Sequence, residues 1–464
     1  MIETMKRIHF IGIGGIGVSA LARHFLASGA SVSGSDLAAS EITAELAREG
    51  ARVIVGAQSA FNIPSDTDLV VHTAAVPKAN PEFKEAKRRK IPMQTYAQAV
   101  GDLTRRFKTI TISGSHGKST TTAMTALVLE EGHRDPTVVI GTKMKEFGGA
   151  NFRYGRGGYL VLEADEWNRS FFQYSPFVAA ITNIDAEHLD TYKTAAGVER
   201  AFRRFLDGVA PDGAIVANAD DEGSFRVAKR FGKKVLLFSR RDPDAAAVAK
   251  ILCVPGEHNL SNALAARAIG RALGIREPDI LSALARFRGT WRRFEWKGML
   301  YPQRSGDRVM EAPGGASLPR ALNGALVFSD YGHHPTEIAA TLAAARERFP
   351  YRRLVLVYQP HQHQRLQYLW DDFVGAFDLA DRILLLPVYD VAGRETAQAK
   401  SAVSSEHLAA ALGERGKDIR YVPTFDEAGE RLRGEARPGD ILLLMGAGDI
   451  YMLTENLVSD SITA

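Results

Sequence analysis

The sequence predicts an α/β protein with three domains: an N-terminal Rossmann-like domain, a central P-loop ATPase-like domain with a mostly parallel sheet, and a C-terminal Rossmann-like domain. Three observations lead to this prediction. The chain of 464 residues is too long for one ordinary hydrophobic core. Short apolar strands alternate with helical patterns, which is typical of βαβ units and parallel sheets. Two strands, RIHFI and TITIS, run directly into glycine-rich turns. We place the domains at residues 1–106, 107–297 and 298–464.

Composition narrows the class of protein. Hydrophobic residues make up 45% of the chain and charged residues 24%, as in ordinary globular proteins. The net charge of +4 is not gathered into basic runs interleaved with aromatic residues, so we expect no nucleic-acid partner. No apolar run approaches the roughly 18 residues of a membrane span, and glycines interrupt the apolar stretch near the N-terminus. The single cysteine, Cys253, excludes an internal disulfide. We therefore expect a cytoplasmic protein without a membrane partner. A monomer or weak dimer is a separate expectation, which composition does not decide.

The first glycine-rich turn, GIGGIG at residues 12–17, satisfies the pattern G-x-G-x-x-G between a predicted strand and a predicted helix. Asp36 ends the next predicted strand, as in dinucleotide-binding domains. The pattern indicates a backbone that can approach a pyrophosphate. Because UDP carries a pyrophosphate as NAD does, the motif alone does not choose between them.

The second glycine-rich turn, in ITISGSHGKSTTTAM, departs from the usual phosphate-loop pattern. The pattern G-x-x-x-x-G-K-[ST] requires a glycine where Ile112 stands, and the nearest upstream glycine is Gly114. A strand, a glycine turn and a helix nevertheless direct backbone N–H groups and the positive helix end at one point, which suits phosphate. We interpret the turn as a shorter phosphate loop, in which Lys118 reaches the β- and γ-phosphates and Ser119 offers a hydroxyl to Mg²⁺.

Acidic and histidine side chains follow two later strands of the same predicted domain. EADEWN places Glu163, Asp165 and Glu166 after one strand, and TNIDAEHLD places Asp185 and His188 after the next. Carboxylates at strand ends beside a phosphate loop can hold a metal ion.

Further candidates lie downstream. Asn259 and Asn262 are three residues apart at a helix start and so share one face. Either Arg292 or Arg293 could neutralise a transferring phosphoryl group. In the third domain, two motifs follow strands, where open α/β sheets bind ligands. They contribute Asp330, His333, His334, His361, His363 and Arg365. A zinc site of four histidines is conceivable, but substrate binding is the favoured interpretation.

Nine motifs together resemble the Mur ligase family of ATP-dependent amide-bond-forming enzymes. In order they are GIGGIG, GSHGKSTT, EADE, TNID-x-x-HLD, GEHNLSNALAA, RRFE, DYGHHPTEI, QPH and GAGDI. The resemblance runs nearly from end to end and implies the short type of phosphate loop. It implies ATP and Mg²⁺ as cofactors. It also implies a reaction in peptidoglycan precursor synthesis that joins L-alanine to the lactyl carboxylate of UDP-N-acetylmuramate through an acyl phosphate.

The resemblance also implies roles for individual residues. ATP would be bound by Gly114, Ser115, His116, Gly117, Lys118, Ser119, Thr120, Asn259 and Asn262. Mg²⁺ would be held by Ser119, Glu163 and His188, with Arg293 on the γ-phosphate and Asp330 reaching the nucleotide from the third domain. The UDP-sugar would be bound by Gly14, Gly15, Ile16, Gly17, Asp36, Thr73, Ala74 and Ala75. His333, His361 and Arg365 would lie near the incoming amino acid.

The chain departs from the patterns of its relatives in five places. Ser115 and Ser119 stand where threonine is usual, and Gln362 stands where arginine usually follows the QPH histidine. The missing charge bears on the choice of amino acid. An insertion spans about residues 301–325. Arg203 occupies the place of a lysine that is carbamylated in some relatives, so we predict no such modification.

Three alternatives remain. A related Mur-type ligase could add another amino acid or a peptide to the same sugar nucleotide. GIGGIG and Asp36 would also suit an NAD-dependent oxidoreductase, but that function does not explain GSHGKST and EADE. A catalytically silent nucleotide-binding regulator is the third, and the intact Lys118, Glu163 and His188 argue against it.

Overall fold

The computed structural model describes residues 6–185, 189–232, 234–301, 324–390, 395 and 397–459. It contains three sheets dominated by parallel strands, which confirms the predicted α/β class. His188 and almost all of the insertion near residues 301–325 lie outside the described residues. Within the described parts of the chain, no helix combines the length and hydropathy needed to cross a membrane.

The first sheet has five parallel strands in the order β3-β2-β1-β4-β5. The strands are β1 (Arg7–Ile11), β2 (Ser31–Asp36), β3 (Arg52–Val55), β4 (Leu69–His72) and β5 (Met93–Thr95). Its helices are α1 (Ile16–Ala27), α2 (Glu41–Arg48), α3 (Pro81–Arg88) and α4 (Tyr96–Thr104). The strand order reverses between β1 and β4. Such a switch point opens a crevice at the carboxyl ends of the strands, where ligands bind.

The second sheet has seven strands in the order β12-β11-β10-β6-β9-β7-β8, and only β8 is antiparallel to its neighbour. The strands are β6 (Lys108–Ser113), β7 (Thr137–Met144), β8 (Ala150–Arg153), β9 (Tyr159–Glu163), β10 (Val178–Ile181), β11 (Ala214–Asn218) and β12 (Lys234–Phe238). The helices are α5 (Lys118–Glu131), α6 (Leu189–Tyr192), α7 (Ala195–Asp207), α8 (Glu222–Ala228), α9 (Ala245–Ile251), α10 (Glu257–Ala272) and α11 (Glu277–Arg286). Strand β6 is central, so the loop that follows it is flanked by the ends of β9 and β10.

The third sheet has six strands in the order β13-β14-β18-β15-β16-β17, with β13 antiparallel at the edge. The strands are β13 (Glu295–Leu300), β14 (Ala325–Asp330), β15 (Leu354–Tyr358), β16 (Arg382–Leu385), β17 (Ile419–Tyr421) and β18 (Ile441–Met445). The helices are α12 (Pro335–Arg348), α13 (His363–Tyr368), α14 (Trp370–Ala376), α15 (Ala397–Ala402), α16 (Ser405–Glu414), α17 (Phe425–Glu435) and α18 (Ile450–Ser459). Strands β15 and β18 are buried at every residue, as expected for the centre of a parallel sheet.

The chain divides into two compact units. One holds residues 1–254 and 258–290, with the first and second sheets, and the other holds residues 255–257 and 291–464, with the third sheet. In the first unit, one hydrophobic cluster includes residues of both sheets, such as Phe10 and Leu160. The three domain boundaries drawn from the sequence stay a prediction.

A buried polar junction joins the first two sheets. The side-chain amide of Asn151, in β8, donates hydrogen bonds to the carbonyl of Ile16 and to the hydroxyl of Ser19, the latter at 2.9 Å. The guanidinium of Arg23, only 5% exposed, donates to the Asn151 carbonyl oxygen. Since Ile16 opens α1 directly after the GIGGIG turn, Asn151 holds this turn against the central sheet.

Three carboxylates complete the junction. Arg23 pairs with Glu45 at 2.7 Å and Glu49 at 2.8 Å, and the Lys143 ammonium lies 3.0 Å from Glu45 and 2.8 Å from Glu41. Buried arginine is costly unless it is paired and hydrogen-bonded, and here both conditions are met.

Replacing Asn151 with alanine should weaken this junction. The change removes an acceptor of the buried Arg23 guanidinium and the amide that donates to the Ile16 carbonyl and the Ser19 hydroxyl, which should cost about 2 kcal/mol of unfolding free energy. Scanning calorimetry should show a lower unfolding temperature for Asn151→Ala. Arg48→Ala, on the solvent side of α2, should leave it unchanged. Equal midpoints for Asn151→Ala and the wild type would contradict this role of the junction.

Candidate functional site

The phosphate loop between β6 and α5 depends on two glycines. Gly114 and Gly117 have φ values of +134° and +81°, which side chains rarely adopt. A Cβ atom on Gly114 would collide with the Thr182 hydroxyl, and one on Gly117 would collide with the Asn262 side chain. The two glycines therefore allow the chain to turn where neighbouring side chains leave no room for a Cβ atom.

Asn183, which follows β10, holds the loop in place. Its side-chain oxygen accepts the His116 backbone N–H at 2.8 Å, and its carbonyl accepts the Ser115 N–H at 3.2 Å. The Ser115 hydroxyl accepts the backbone N–H of Asp185 at 2.8 Å. Asn183 belongs to the TNID motif but is not among the site residues predicted from the sequence.

Lys118 is the first residue of α5 and lies at the mouth of the loop. Its ammonium donates to the carbonyls of Gly114 at 2.7 Å and Ser115 at 3.2 Å. It also contacts both carboxylate oxygens of Glu166 at 3.1 Å, and Glu166 is only 1% exposed. Glu166, a candidate metal ligand on the basis of the sequence, is instead paired with Lys118.

Two predicted magnesium ligands meet beside Lys118. The Ser119 hydroxyl donates to one carboxylate oxygen of Glu163 at 2.9 Å, and the Gly141 backbone N–H donates to the other at 2.7 Å. Glu163 ends β9, which is hydrogen-bonded to β6, so the sheet itself brings its carboxylate to the loop. A hydroxyl and a carboxylate are hard oxygen ligands of the kind that Mg²⁺ takes. The donors present fit this ion, and the third predicted ligand, His188, lies outside the described residues.

Helix α10 reaches the same loop. The side-chain oxygen of Asn262 accepts the Thr121 hydroxyl at 3.2 Å, next to Gly117. Asn259 lies one turn earlier on this helix and is also buried. The structure therefore brings Asn262 to the phosphate loop and keeps Asn259 on the same face.

The predicted UDP-sugar residues converge at the switch point of the first sheet. The Gly14 backbone N–H donates to an Asp36 carboxylate oxygen at 2.8 Å. The Thr73 hydroxyl accepts the Ala75 N–H at 3.2 Å, and a Cβ on Gly12 would lie 2.9 Å from the Thr73 methyl. Segments that follow β1, β2 and β4 thus form one crevice.

Tyr96 is an addition that the sequence analysis missed. A Cβ on Gly17 would lie 2.9 Å from the Tyr96 hydroxyl oxygen. Burial raises the pKa of the Tyr96 phenol, and the charges of Glu163 and Asp165 raise it further. The Tyr96 phenol is therefore neutral, and its hydroxyl lies beside the glycine turn. The one local signal is its place at the start of α4, after the capping residue Thr95.

Asp330 lies at the end of β14 in the second unit. Its carboxylate oxygens accept the backbone N–H groups of Phe294 and Gly332, each at 2.7 Å. Burial raises the pKa of Asp330 to about 6, while the Arg293 charge and the two N–H donors act against this rise. Asp330 is therefore charged at neutral pH.

The two candidate arginines have different surroundings. Arg292 is buried, donates to the carbonyls of Gly446 and Gly448, and stacks its guanidinium over aromatic rings, so it holds the fold. Arg293 is more exposed and lies 5.0 Å from the Tyr331 ring centroid and 3.8 Å from a Glu337 carboxylate oxygen. Of the two side chains, that of Arg293 is the less buried.

The three predicted amino-acid-binding residues come together. The rings of His333 and His361 lie 5.7 Å apart, and the Arg365 guanidinium lies 3.4 Å from the His361 ring nitrogen. His361 stacks on Tyr389, whose carbonyl accepts the Gln362 backbone N–H at 3.2 Å.

The other two histidines of this region have different contacts. The His334 ring accepts the Thr336 backbone N–H and so caps α12, and His363 lies 3.2 Å from a Glu395 carboxylate oxygen. These positions do not favour the four-histidine zinc site.

Comparison with known proteins agrees with the motif order. The family model described as "Mur ligase family, catalytic domain" matches residues 7–108, "Mur ligase middle domain" matches 112–253, and "Mur ligase, glutamate ligase domain" matches 318–448. UDP-N-acetylmuramate–L-alanine ligase of Caldanaerobacter subterraneus subsp. tengcongensis is 34% identical, over 99% of both chains. The protein of the same name from Clostridium kluyveri is 36% identical, over 97% of both chains.

Solved structures agree as well. The crystal structure of UDP-N-acetylmuramate-alanine ligase from Thermotoga maritima superimposes with a TM-score of 0.79 at 28% identity, over 98% of this chain and 99% of that one. A murein peptide ligase from Psychrobacter arcticus shares the fold, with a TM-score of 0.70 at 20% identity over 98% of both chains. The chain belongs to the Mur ligase family.

Proposed function

We propose that this chain is an ATP-dependent ligase that joins L-alanine to the lactyl carboxylate of UDP-N-acetylmuramate, in peptidoglycan precursor synthesis. The observation that carries the proposal is a glycine-rich loop at which Lys118, paired with Glu166, is followed directly by Ser119, which donates to Glu163. Full-length relatives named for this reaction support the choice of substrates.

The reaction has two steps. The lactyl carboxylate attacks the γ-phosphate of ATP, which gives an acyl phosphate and ADP; the amine of L-alanine then attacks the acyl carbon, and phosphate leaves. Two anions meet in the first step, so electrostatic stabilisation is the main requirement. Lys118 supplies a cation at the phosphate loop. Ser119, Glu163 and His188 would hold Mg²⁺, which supplies further positive charge to the phosphates when bound.

The remaining assignments follow the resemblance. The loop residues 114–120 with Asn259 and Asn262 would bind ATP, and Arg293 and Asp330 would act on its phosphates and nucleotide. The crevice of the first sheet would bind the UDP-sugar, with its pyrophosphate at the start of α1. His333, His361 and Arg365 would bind the amino acid. We place the protein in the cytoplasm, as a monomer or weak dimer.

Phosphate release from ATP tests the proposal. With UDP-N-acetylmuramate present, release should require an amino acid and be fastest with L-alanine, and mass spectrometry should find the L-alanyl sugar nucleotide. Chelation of divalent cations should stop the release. A faster reaction with another amino acid or a peptide would indicate a related ligase. NAD reduction without phosphate release would indicate an oxidoreductase.

Lys118→Ala should lower kcat by at least two decades, equivalent to about 2.7 kcal/mol of transition-state stabilisation. The reason is the loss of the cation at the phosphate loop. Steady-state kinetics on the purified variant measure the loss, and circular dichroism checks that it folds. Lys229→Ala removes an exposed lysine of the same unit and should leave kcat unchanged. Near-normal turnover of Lys118→Ala would refute the role given to Lys118.

Gln362→Arg should lower the KM for L-alanine about tenfold. Glutamine offers a carboxylate only neutral hydrogen bonds, whereas arginine offers a charge-assisted fork. The wild type should therefore rely on Arg365 and discriminate only modestly against glycine and L-serine. Values of kcat/KM for the three amino acids in both proteins measure this. Gln367→Arg, at an exposed position of α13, the helix that follows residue 362, is the matched control. An unchanged KM in Gln362→Arg would mean that residue 362 does not face the amino acid.

A further inference from the structure

The turn after β9 contains two consecutive residues in the left-handed conformation. Asn168 has φ 52° and ψ 26°, and Arg169 has φ 59° and ψ 27°. Asparagine adopts this conformation fairly readily, because its short polar side chain can hydrogen-bond to the nearby backbone. Arginine lacks that local hydrogen bond, so the left-handed conformation costs it more free energy. Such outliers persist where the surrounding structure holds them, and they cluster at functional sites.

Hydrogen bonds hold this turn. The Arg169 backbone N–H donates to the Glu166 carbonyl at 3.0 Å, and the Trp167 N–H donates to the Asp165 carboxylate at 2.9 Å. The Tyr192 hydroxyl donates to the same Glu166 carbonyl. Because Glu166 also pairs with Lys118, the strained turn is anchored to the phosphate loop.

The same segment reaches toward the UDP-sugar crevice. The 3₁₀ segment Trp167–Gln173 packs on α4, where Gly101 leaves no room for a side chain beside Gln173. Helix α4 opens with Tyr96, whose hydroxyl lies beside Gly17 of the glycine turn. The segment that carries Arg169 therefore connects Glu166, the partner of Lys118, to the helix whose first residue lies beside the glycine turn.

The charge of Arg169 is available to a ligand. Its side chain is exposed, and among the residues that the structure describes no carboxylate forms an ion pair with it, although Asp165 and Glu166 are close in sequence. Burial raises the pKa of the Tyr192 phenol, as do the charges of Glu166 and Asp165, and the Arg169 charge acts against that rise. The charge of the Arg169 guanidinium thus lowers the pKa of Tyr192, whose hydroxyl contacts the Glu166 carbonyl.

We propose that Arg169 binds the lactyl carboxylate of the sugar-nucleotide substrate. The planar guanidinium matches a carboxylate with two parallel hydrogen bonds. ATP already has Lys118 and the backbone of its own loop, whereas the carboxylate needs a cation to approach a phosphate at all. This assignment rests on the proposed function.

Arg169→Gly and Asn168→Gly form a matched pair of variants. Each relieves one left-handed residue, because glycine adopts positive φ freely, but only the first removes a charge. Calorimetric titration of the full chain would compare UDP-N-acetylmuramate with UDP-N-acetylglucosamine and UDP, which lack the lactyl carboxylate. Arg169→Gly should weaken binding of UDP-N-acetylmuramate about tenfold to hundredfold and leave UDP-N-acetylglucosamine, UDP and ATP unchanged. Asn168→Gly should change none of them, and Arg169→Lys should restore part of the loss.

Three results would overturn the assignment. Equal losses for all three uridine nucleotides in Arg169→Gly would place Arg169 on the pyrophosphate. A loss confined to ATP, or no loss, would remove it from the sugar nucleotide. A wild type that binds no UDP-N-acetylmuramate would overturn the proposed function and this assignment with it, and the wild-type titration alone reveals that case.

Discussion

Lack of space around Gly114 and Gly117 is the constraint on which the candidate site depends. Thr182 and Asn262 close in on these two residues, so the chain must turn at once from β6 into α5. The turn brings Ser119 to the end of β9 and places the Lys118 ammonium above the loop carbonyls. Because β6 is the central strand, both neighbours contribute side chains to the same point, and no long loop is needed to gather them.

The sequence could predict those parts of the site whose residues are adjacent in the chain or stand at the carboxyl ends of neighbouring parallel strands. Lys118 and Ser119 are adjacent in the chain, and Glu163 ends a strand, so their meeting follows from strand order alone. The fold class followed from the alternation of strands and helices, since each βαβ unit is written in a short stretch of chain.

Other parts depend on contacts that no local pattern encodes. The pairing of Lys118 with Glu166 instead of Asp165 depends on how the turn after β9 is wound. The junction of Asn151 with Arg23 links positions 128 residues apart, and neither residue stands in a recognisable motif. Likewise, the different surroundings of Arg292 and Arg293 depend on the aromatic rings and carbonyls that fold around Arg292. The two arginines are adjacent in the chain and of the same residue type, so the sequence alone does not distinguish their surroundings.

Asp330 shows how stability and charge can oppose each other in one side chain. A carboxyl whose pKa is raised by burial stabilises the folded state fully below its ordinary pKa of about 4, and this contribution is lost as the pH rises through about 6. At neutral pH the second unit therefore carries a buried anion at the expense of its own stability. A neutral residue there would avoid the cost of burying a charge, but it would remove the negative charge at the end of β14 and weaken or lose the hydrogen bonds from the Phe294 and Gly332 N–H groups. Asp330 therefore lowers the stability of the folded state at neutral pH while it provides a buried negative charge. The role predicted for Asp330 at the nucleotide would account for this loss of stability.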